Sequence, residues 1–170
     1  MPKLKSEPEF VEICIELKPY LIKYATAGNP GNYIFLNHKD ESDILWNKVV
    51  TMLGTPPRGW KPERIPTEKR LALRLPYWYI RDNRLGRWIS NRNKVHLAEL
   101  IEITFWKDLY ESVIEQKLDQ GRKELVVIRE FRAEFGITED DYLEESMYKR
   151  YRRCKAKRLK RRKIREGRAI

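Results

Sequence analysis

The sequence predicts a mainly α, single-domain protein whose long, strongly basic C-terminal helix projects from a helical body. Three observations carry that expectation. Apolar residues recur at helical spacing through the second half of the chain. Gly and Pro punctuate those stretches as stops and connectors. Lysine and arginine crowd the last 22 of the 170 residues. The expected organisation is a body at 1–148, with a Pro-rich connector at 55–66, and a basic extension at 149–170. At most a short strand or hairpin is expected, near 33–36 or 77–90.

In chain order, Ser6-Glu7-Pro8-Glu9 reads as a helix start, with Ser6 as cap and Glu9 closing a capping box. Phe10, Cys14, Leu17 and Leu21 follow at helical spacing, and Pro19 should kink or split that helix. Gly28–Asn32 reads as a loop and Tyr33–Leu36 as a short apolar strand. A second helix is expected from Glu41 to Leu53, capped by Asp40, with Leu45, Val49 and Met52 or Leu53 inward. Pro56, Pro57, Pro62 and Pro66 make 55–66 extended. Thr67 should cap a short helix ending before Pro76, and Tyr77–Ser90 reads equally as a helix or as a hairpin turning at Asp82-Asn83.

The clearest helix runs from Asn93 to Gln120, with Leu97, Leu100, Ile101, Phe105, Leu109, Val113 and Leu118 in one stripe. The next, Arg122–Phe135, places Leu125, Ile128, Phe131 and Phe135 on one face and ends at Gly136, a natural left-handed residue followed by Ile137. Thr138 then caps the last helix, Asp141 completes a box, and Leu143, Met147, Tyr151 and Cys154 form its seam.

The formal charge of +11 is unevenly placed: −1 over residues 1–55, +8 over 56–96, −8 over 97–148 and +12 over 149–170. The first 148 residues are therefore nearly neutral, and the excess is an appendage. The last helix opens on Glu139, Asp140, Asp141, Glu144 and Glu145 and closes on cations, an order that complements the helix dipole. The +8 and −8 blocks can lock internally or associate head to tail between copies.

That extension carries the strongest functional signal: Lys149, Arg150, Arg152, Arg153, Lys155, Lys157, Arg158, Lys160, Arg161, Arg162, Lys163 and Arg165, with Arg168 beyond them. Like charges at this density repel unless a polyanion neutralises them, and nucleic acid is the usual polyanion. An acidic protein surface is the second partner class. A second block interleaves arginine with aromatics: Trp60, Arg74, Tyr77, Trp78, Tyr79, Arg81, Arg84, Arg87 and Trp88. Guanidinium groups bind phosphate and aromatic rings stack on unpaired bases, but the same composition suits a subunit interface or an aromatic core.

Other chemistry is thin. No run of 18 apolar residues is present and the start carries no apolar leader, so neither a membrane span nor a membrane partner is expected. Cys14 and Cys154 are 140 positions apart, without the spacing of a zinc site or a disulfide framework. His38 near Asp40, Glu41 and Asp43 reads as a solvated loop before a cap, and His96 as packing or capping. The corner Phe135-Gly136-Ile137-Thr138 is similar to the turn of a DNA-binding helix-turn-helix, but Arg132 and Glu145 stand where small and apolar residues belong. Three acids also open the would-be recognition helix, so an ordinary helical corner is expected. Neither an enzyme nor a metal or other cofactor is expected.

The expectation is a non-catalytic nucleic-acid-binding protein making largely sequence-independent phosphate contacts through its C-terminal helix. The alternative is a homo-oligomeric structural subunit of a nucleoprotein assembly: a virion, connector ring or DNA-packaging complex. In it, the tail and the Arg/aromatic block would contact neighbouring subunits. The first implies a soluble intracellular protein, the second a place within a virus particle.

Overall fold

A computed structural model describes residues 9–27, 31–36, 44–61 and 64–166, and the backbone alone at 117–120, 159 and 161–166. It corrects the expected single helical domain. The chain folds as a mixed α/β structure in two compact units, Met1–Ile101 and Glu102–Ile170. The described residues form six α-helices and three strands: β1 (Phe10–Glu16), α1 (Pro19–Ala25), β2 (Tyr33–Phe35), α2 (Ile44–Met52), β3 (Arg70–Pro76), α3 (Tyr77–Asp82), α4 (Asn91–Gln120), α5 (Glu124–Glu134) and α6 (Glu144–Glu166). The division between the units falls within α4.

The first unit is organised by a three-stranded sheet in the order β1-β3-β2. β3 pairs antiparallel with β1, from Phe10↔Pro76 to Glu16↔Arg70, and parallel with β2, from Tyr33↔Ala72 to Phe35↔Arg74. Phe10–Glu16 is a strand and not the first half of a kinked helix. Val11, Ile13 and Ile15 alternate with other residues, Ile13 and Ile15 are buried, and β-branched side chains favour the pleated backbone. The helical spacing of Phe10, Cys14 and Leu17 is incidental, since Phe10 and Cys14 fall on the opposite face of the strand from the buried Ile13 and Ile15. Pro19 does not kink α1 but opens it, at the first-turn position where its missing N–H costs nothing.

Residues 67–76 are corrected in the same way. Thr67–Lys69 is a single 3-10 turn, after which the chain extends as β3. Leu71, Leu73 and Leu75 are fully buried at a period of two, and Ala72 between them is also buried. This is the central strand of the sheet. Leu, Ala and Arg are good helix formers, so local propensity argued the other way until pairing overrode it.

Tyr77–Ser90 is neither one helix nor a hairpin. α3 is a short helix closed by a Schellman motif, with Leu85 N–H donating to Ile80 C=O (2.9 Å) and Arg84 N–H to Arg81 C=O (3.1 Å). Arg84 takes the left-handed position with φ +54°. Beyond it Trp88 bridges back to Gly54, its C=O accepting from Gly54 N–H (2.8 Å) and its N–H donating to Gly54 C=O (3.2 Å). Gly86 makes this approach possible, because a Cβ there would lie 1.9 Å from the Gly54 carbonyl oxygen.

The second unit comprises the C-terminal part of α4, with α5 and α6. Phe105, Leu109 and Val113 of α4 are buried, as are Val127, Ile128 and Phe131 of α5, Ile137, and Met147 and Tyr151 of α6. Phe105 meets Phe131 edge-on at 5.7 Å between ring centroids, and Tyr110 meets Tyr151 at 5.9 Å. The α5 terminus follows its sequence signal. Gly136 has φ +62°, Ile137 N–H donates to Arg132 C=O (2.8 Å) and Gly136 N–H to Ala133 C=O (3.1 Å).

The start of α6 differs from expectation. Asp141 Oδ2 accepts from both the N–H and the hydroxyl of Thr138 at 2.7 Å, but this box closes only one turn. The helix begins at Glu144, whose N–H donates to Glu139 Oε2 at 3.1 Å. Leu143 consequently lies outside the seam and is 59% exposed. Arg132, with only 7% of its side chain exposed, ties the corner together. It pairs with Glu139 (2.6 Å) and Glu144 (3.4 Å) and donates to the Tyr142 carbonyl (3.0 Å).

Candidate nucleic-acid interface

Twenty-three consecutive residues, Glu144–Glu166, hold the basic segment in one helix. Because an α-helix turns 100° per residue, the chain distributes its cations over two faces. Met147 and Tyr151 set the buried face, and the cations close to that direction are taken up by the second unit's own groups.

Arg150 pairs with Glu102 of α4 (2.7 Å) and lies over the Trp106 ring, 4.5 Å from its centroid. Lys155 pairs with Glu124, the first residue of α5, whose side chain is only 14% exposed. Arg158 lies over the Tyr110 ring at 4.0 Å. These three cations of the predicted site therefore serve to hold α6 on its unit. Lys149 pairs within the helix with Glu145 (2.6 Å).

Away from the seam the pattern changes, with Lys157 bordering Arg150 and with Arg153 and Lys160 lying opposite the seam. Arg152, Arg153, Lys157 and Lys160 are exposed. Arg152 has a ring contact with Tyr148 at 5.9 Å, and Arg153, Lys157 and Lys160 make no ion pair among the described residues. Arg153 and Lys160 are seven residues apart, about 10 Å of helix rise. Arg161, Arg162, Lys163 and Arg165 belong to the α6 backbone, and their side chains lie outside the described residues.

Hydrogen bonding perturbs the acids at this helix's start. The Arg132 guanidinium, chiefly through its hydrogen bond, holds the Glu139 carboxyl below the ordinary carboxylate range. Lys149 does the same to Glu145, and the Glu144 carboxylate raises Arg129, which it binds at 2.9 Å and 3.0 Å. Of the acids near the opening of α6, Glu139, Glu144 and Glu145 are thus bound to neighbouring cations, while Asp141 accepts from Thr138.

The second predicted block is dispersed within the first unit. Arg74 sits among the rings of Tyr33 (3.9 Å), Phe10 (4.6 Å) and Phe35 (5.5 Å), and its Nε donates to Glu12 at 2.8 Å. Tyr79 packs edge-on to Trp46 (4.9 Å) and Trp78 (5.8 Å), while Trp78 itself is 45% exposed. Arg81 pairs with the adjacent Asp82 (2.9 Å), and Arg84 follows the end of α3. Only Trp60, Arg87 and Trp88 are brought to one place, the wall of a cavity of about 390 Å³, with Tyr77 bound to Arg87 behind them. Glu12, Cys14, Arg64, Arg70 and Lys94 also line that cavity, a grouping not visible in the sequence because it depends on β1 pairing with β3.

Among the described residues no group of three or more His, Cys, Asp or Glu is placed to hold a metal ion, and Cys14 and Cys154 are both free. His38 and its acidic neighbours lie outside those residues. No helix among the described residues is long and apolar enough to cross a membrane. No family model, curated protein or solved structure matches the chain.

Proposed function

We propose that the protein binds nucleic acid through the outward face of α6, by phosphate contacts that are largely independent of base sequence. The observation that carries this reading is the sorting of cations on α6. Those beside the buried seam are matched by Glu102, Glu124 and the Tyr110 ring, while Arg153, Lys157 and Lys160 make no ion pair among the described residues. Like charges at i, i+4 and i+7 on one face repel each other, so their arrangement gains most from a partner with closely repeated negative charge. A duplex of the length spanned by Arg153–Lys160 carries about six phosphates. α6 contains neither Asn nor Gln, the side chains that pair bidentately with adenine.

The test is fluorescence anisotropy of the full chain with a labelled 20-base-pair DNA duplex and with a single-stranded RNA of equal length. Saturable binding at 50 mM salt that weakens steeply by 200 mM is expected for at least one of them. Absence of saturable binding to both at 50 mM salt would overturn the reading.

A further inference from the structure

The cavity in the first unit is rich in donors and poor in acceptors. Its one carboxylate lining group, Glu12, is already engaged by Arg74 (2.8 Å) and Arg70 (3.4 Å). Arg70 is further occupied, its Nε donating to Cys14 Sγ at 3.0 Å. Two other guanidinium groups lack a counter-charge among the described residues. Arg64 makes no ion pair, and Arg87 contacts only neutral groups, the Tyr77 hydroxyl at 3.0 Å and the Tyr77 ring at 4.7 Å. Trp88, which also lines the cavity, has an indole N–H that is buried without an acceptor. That N–H is closed off from solvent, so the open donors of the cavity are the exposed Arg64 and Arg87 guanidinium groups, which an anion satisfies.

The remaining chemistry of the wall is flat and apolar. Trp60, 40% exposed, and Trp88 contribute two indole systems, and Ile13, Ile65 and Ile89 also line the cavity. Indole faces bind planar aromatic groups by stacking. A volume of about 390 Å³ is at the small end of ligand pockets and suits one compact ligand. An anion, a planar aromatic group and this size together describe one nucleotide.

We propose that this cavity holds a single nucleotide, its phosphate on Arg64 and Arg87 and its base against the tryptophans. The nucleotide can arrive free or as an unpaired unit of a strand. The cavity lies wholly in the first unit, so this assignment does not depend on the α6 interface.

Calorimetric titration of the full chain tests it, with AMP, UMP, inorganic phosphate and adenosine as probes. AMP or UMP should bind saturably, and phosphate alone and adenosine about tenfold more weakly or worse, since each lacks half of the recognised chemistry. Arg64→Ala, at an exposed position that leaves the fold intact, should weaken AMP or UMP about tenfold, and Trp60→Ala by about fivefold or more through lost stacking. A variant carrying Arg153→Gln, Lys157→Gln and Lys160→Gln should bind the mononucleotides as the parent does. In that variant, a uridine pentanucleotide that displaces UMP at a tenth of its concentration identifies a strand as the source. Equal potency identifies the free nucleotide. No saturable binding of AMP, UMP or the pentanucleotide would overturn the proposal. So would adenosine binding as tightly as AMP, or affinity unchanged by Arg64→Ala.

Discussion

Replacing Arg153, Lys157 and Lys160 together by Gln removes three outward charges while leaving the buried seam of Met147 and Tyr151 intact. On duplex DNA each phosphate contact contributes about 0.9 to the slope of log Kobs against log salt. The triple variant should therefore show a slope shallower by about 2.7, or about 2.1 on a single strand at 0.7 per contact. Between 50 and 200 mM salt, three duplex contacts correspond to about a 40-fold loss of affinity, which the variant should no longer show. The matched control is Arg150→Gln with Lys155→Gln, cations that face Glu102 and Glu124. Because Glu124 is largely buried, the control should cost about 1–3 kcal/mol of stability and leave the salt slope within about 1 of the parent. Anisotropy titrations at four salt concentrations, with urea denaturation of the same preparations, give both quantities. Equal slopes in the triple variant and the parent would show that phosphates bind elsewhere. Equal losses of slope in both variants would show that the two faces of α6 do not differ in function.

Gly86→Ala should destabilise by about 3–5 kcal/mol, the sum of overpacking and two lost hydrogen bonds, because its Cβ would fall 1.9 Å from the Gly54 oxygen. A urea midpoint within error of the parent would contradict that close approach. Arg84→Gly should stabilise by about 0.5 kcal/mol. It relieves the cost of φ +54° on a residue with a Cβ, partly offset by glycine's greater freedom in the unfolded chain; a lower melting temperature would refute this. Glu139 and Glu145 have folded pKa values below the ordinary 4.5, so the stability they contribute is complete above that value and is lost as pH falls through the lower folded values. Urea midpoints should accordingly be flat with respect to these two groups from pH 7 to 5.5 and fall below 4.5, and Glu139→Gln with Glu145→Gln should fall less steeply. An acid limb unchanged in that double variant would remove both pairs from the account.

The helical half of the protein was legible because its signals are local. The stripe of α4 from Leu97 to Val113, the Gly136 terminus and the Met147–Tyr151 seam each follow from spacing within a few turns, and each appears in the structure, while the side chain of Leu118 lies outside the described residues. The sheet was not legible for the converse reason. A short apolar run such as Phe10–Glu16 fits periods of 3.6 and of two, and Leu-Ala-Leu-Arg-Leu at 71–75 favours helix by propensity. Only the pairing of Phe10 with Pro76, across more than sixty positions, decides between them. Leu143 shows the limit at smaller scale: a one-turn interruption between Thr138 and Glu144 rotated it out of a seam that spacing alone had included.

For the candidate interface, the order of residues alone determined that an excess of cations lies at one end, because charge summed along the chain needs no coordinates. The tertiary structure decided which of those cations are available. Whether an arginine meets a carboxylate depends on the helix face it occupies and on what α4 and α5 present to that face, and those neighbours come from distant positions such as Glu102 and Glu124. The same holds for the cavity, whose tryptophans and arginines are ordinary residues of a basic stretch until β1 and β3 pair and bring Glu12 and Cys14 opposite Arg74 and Ala72.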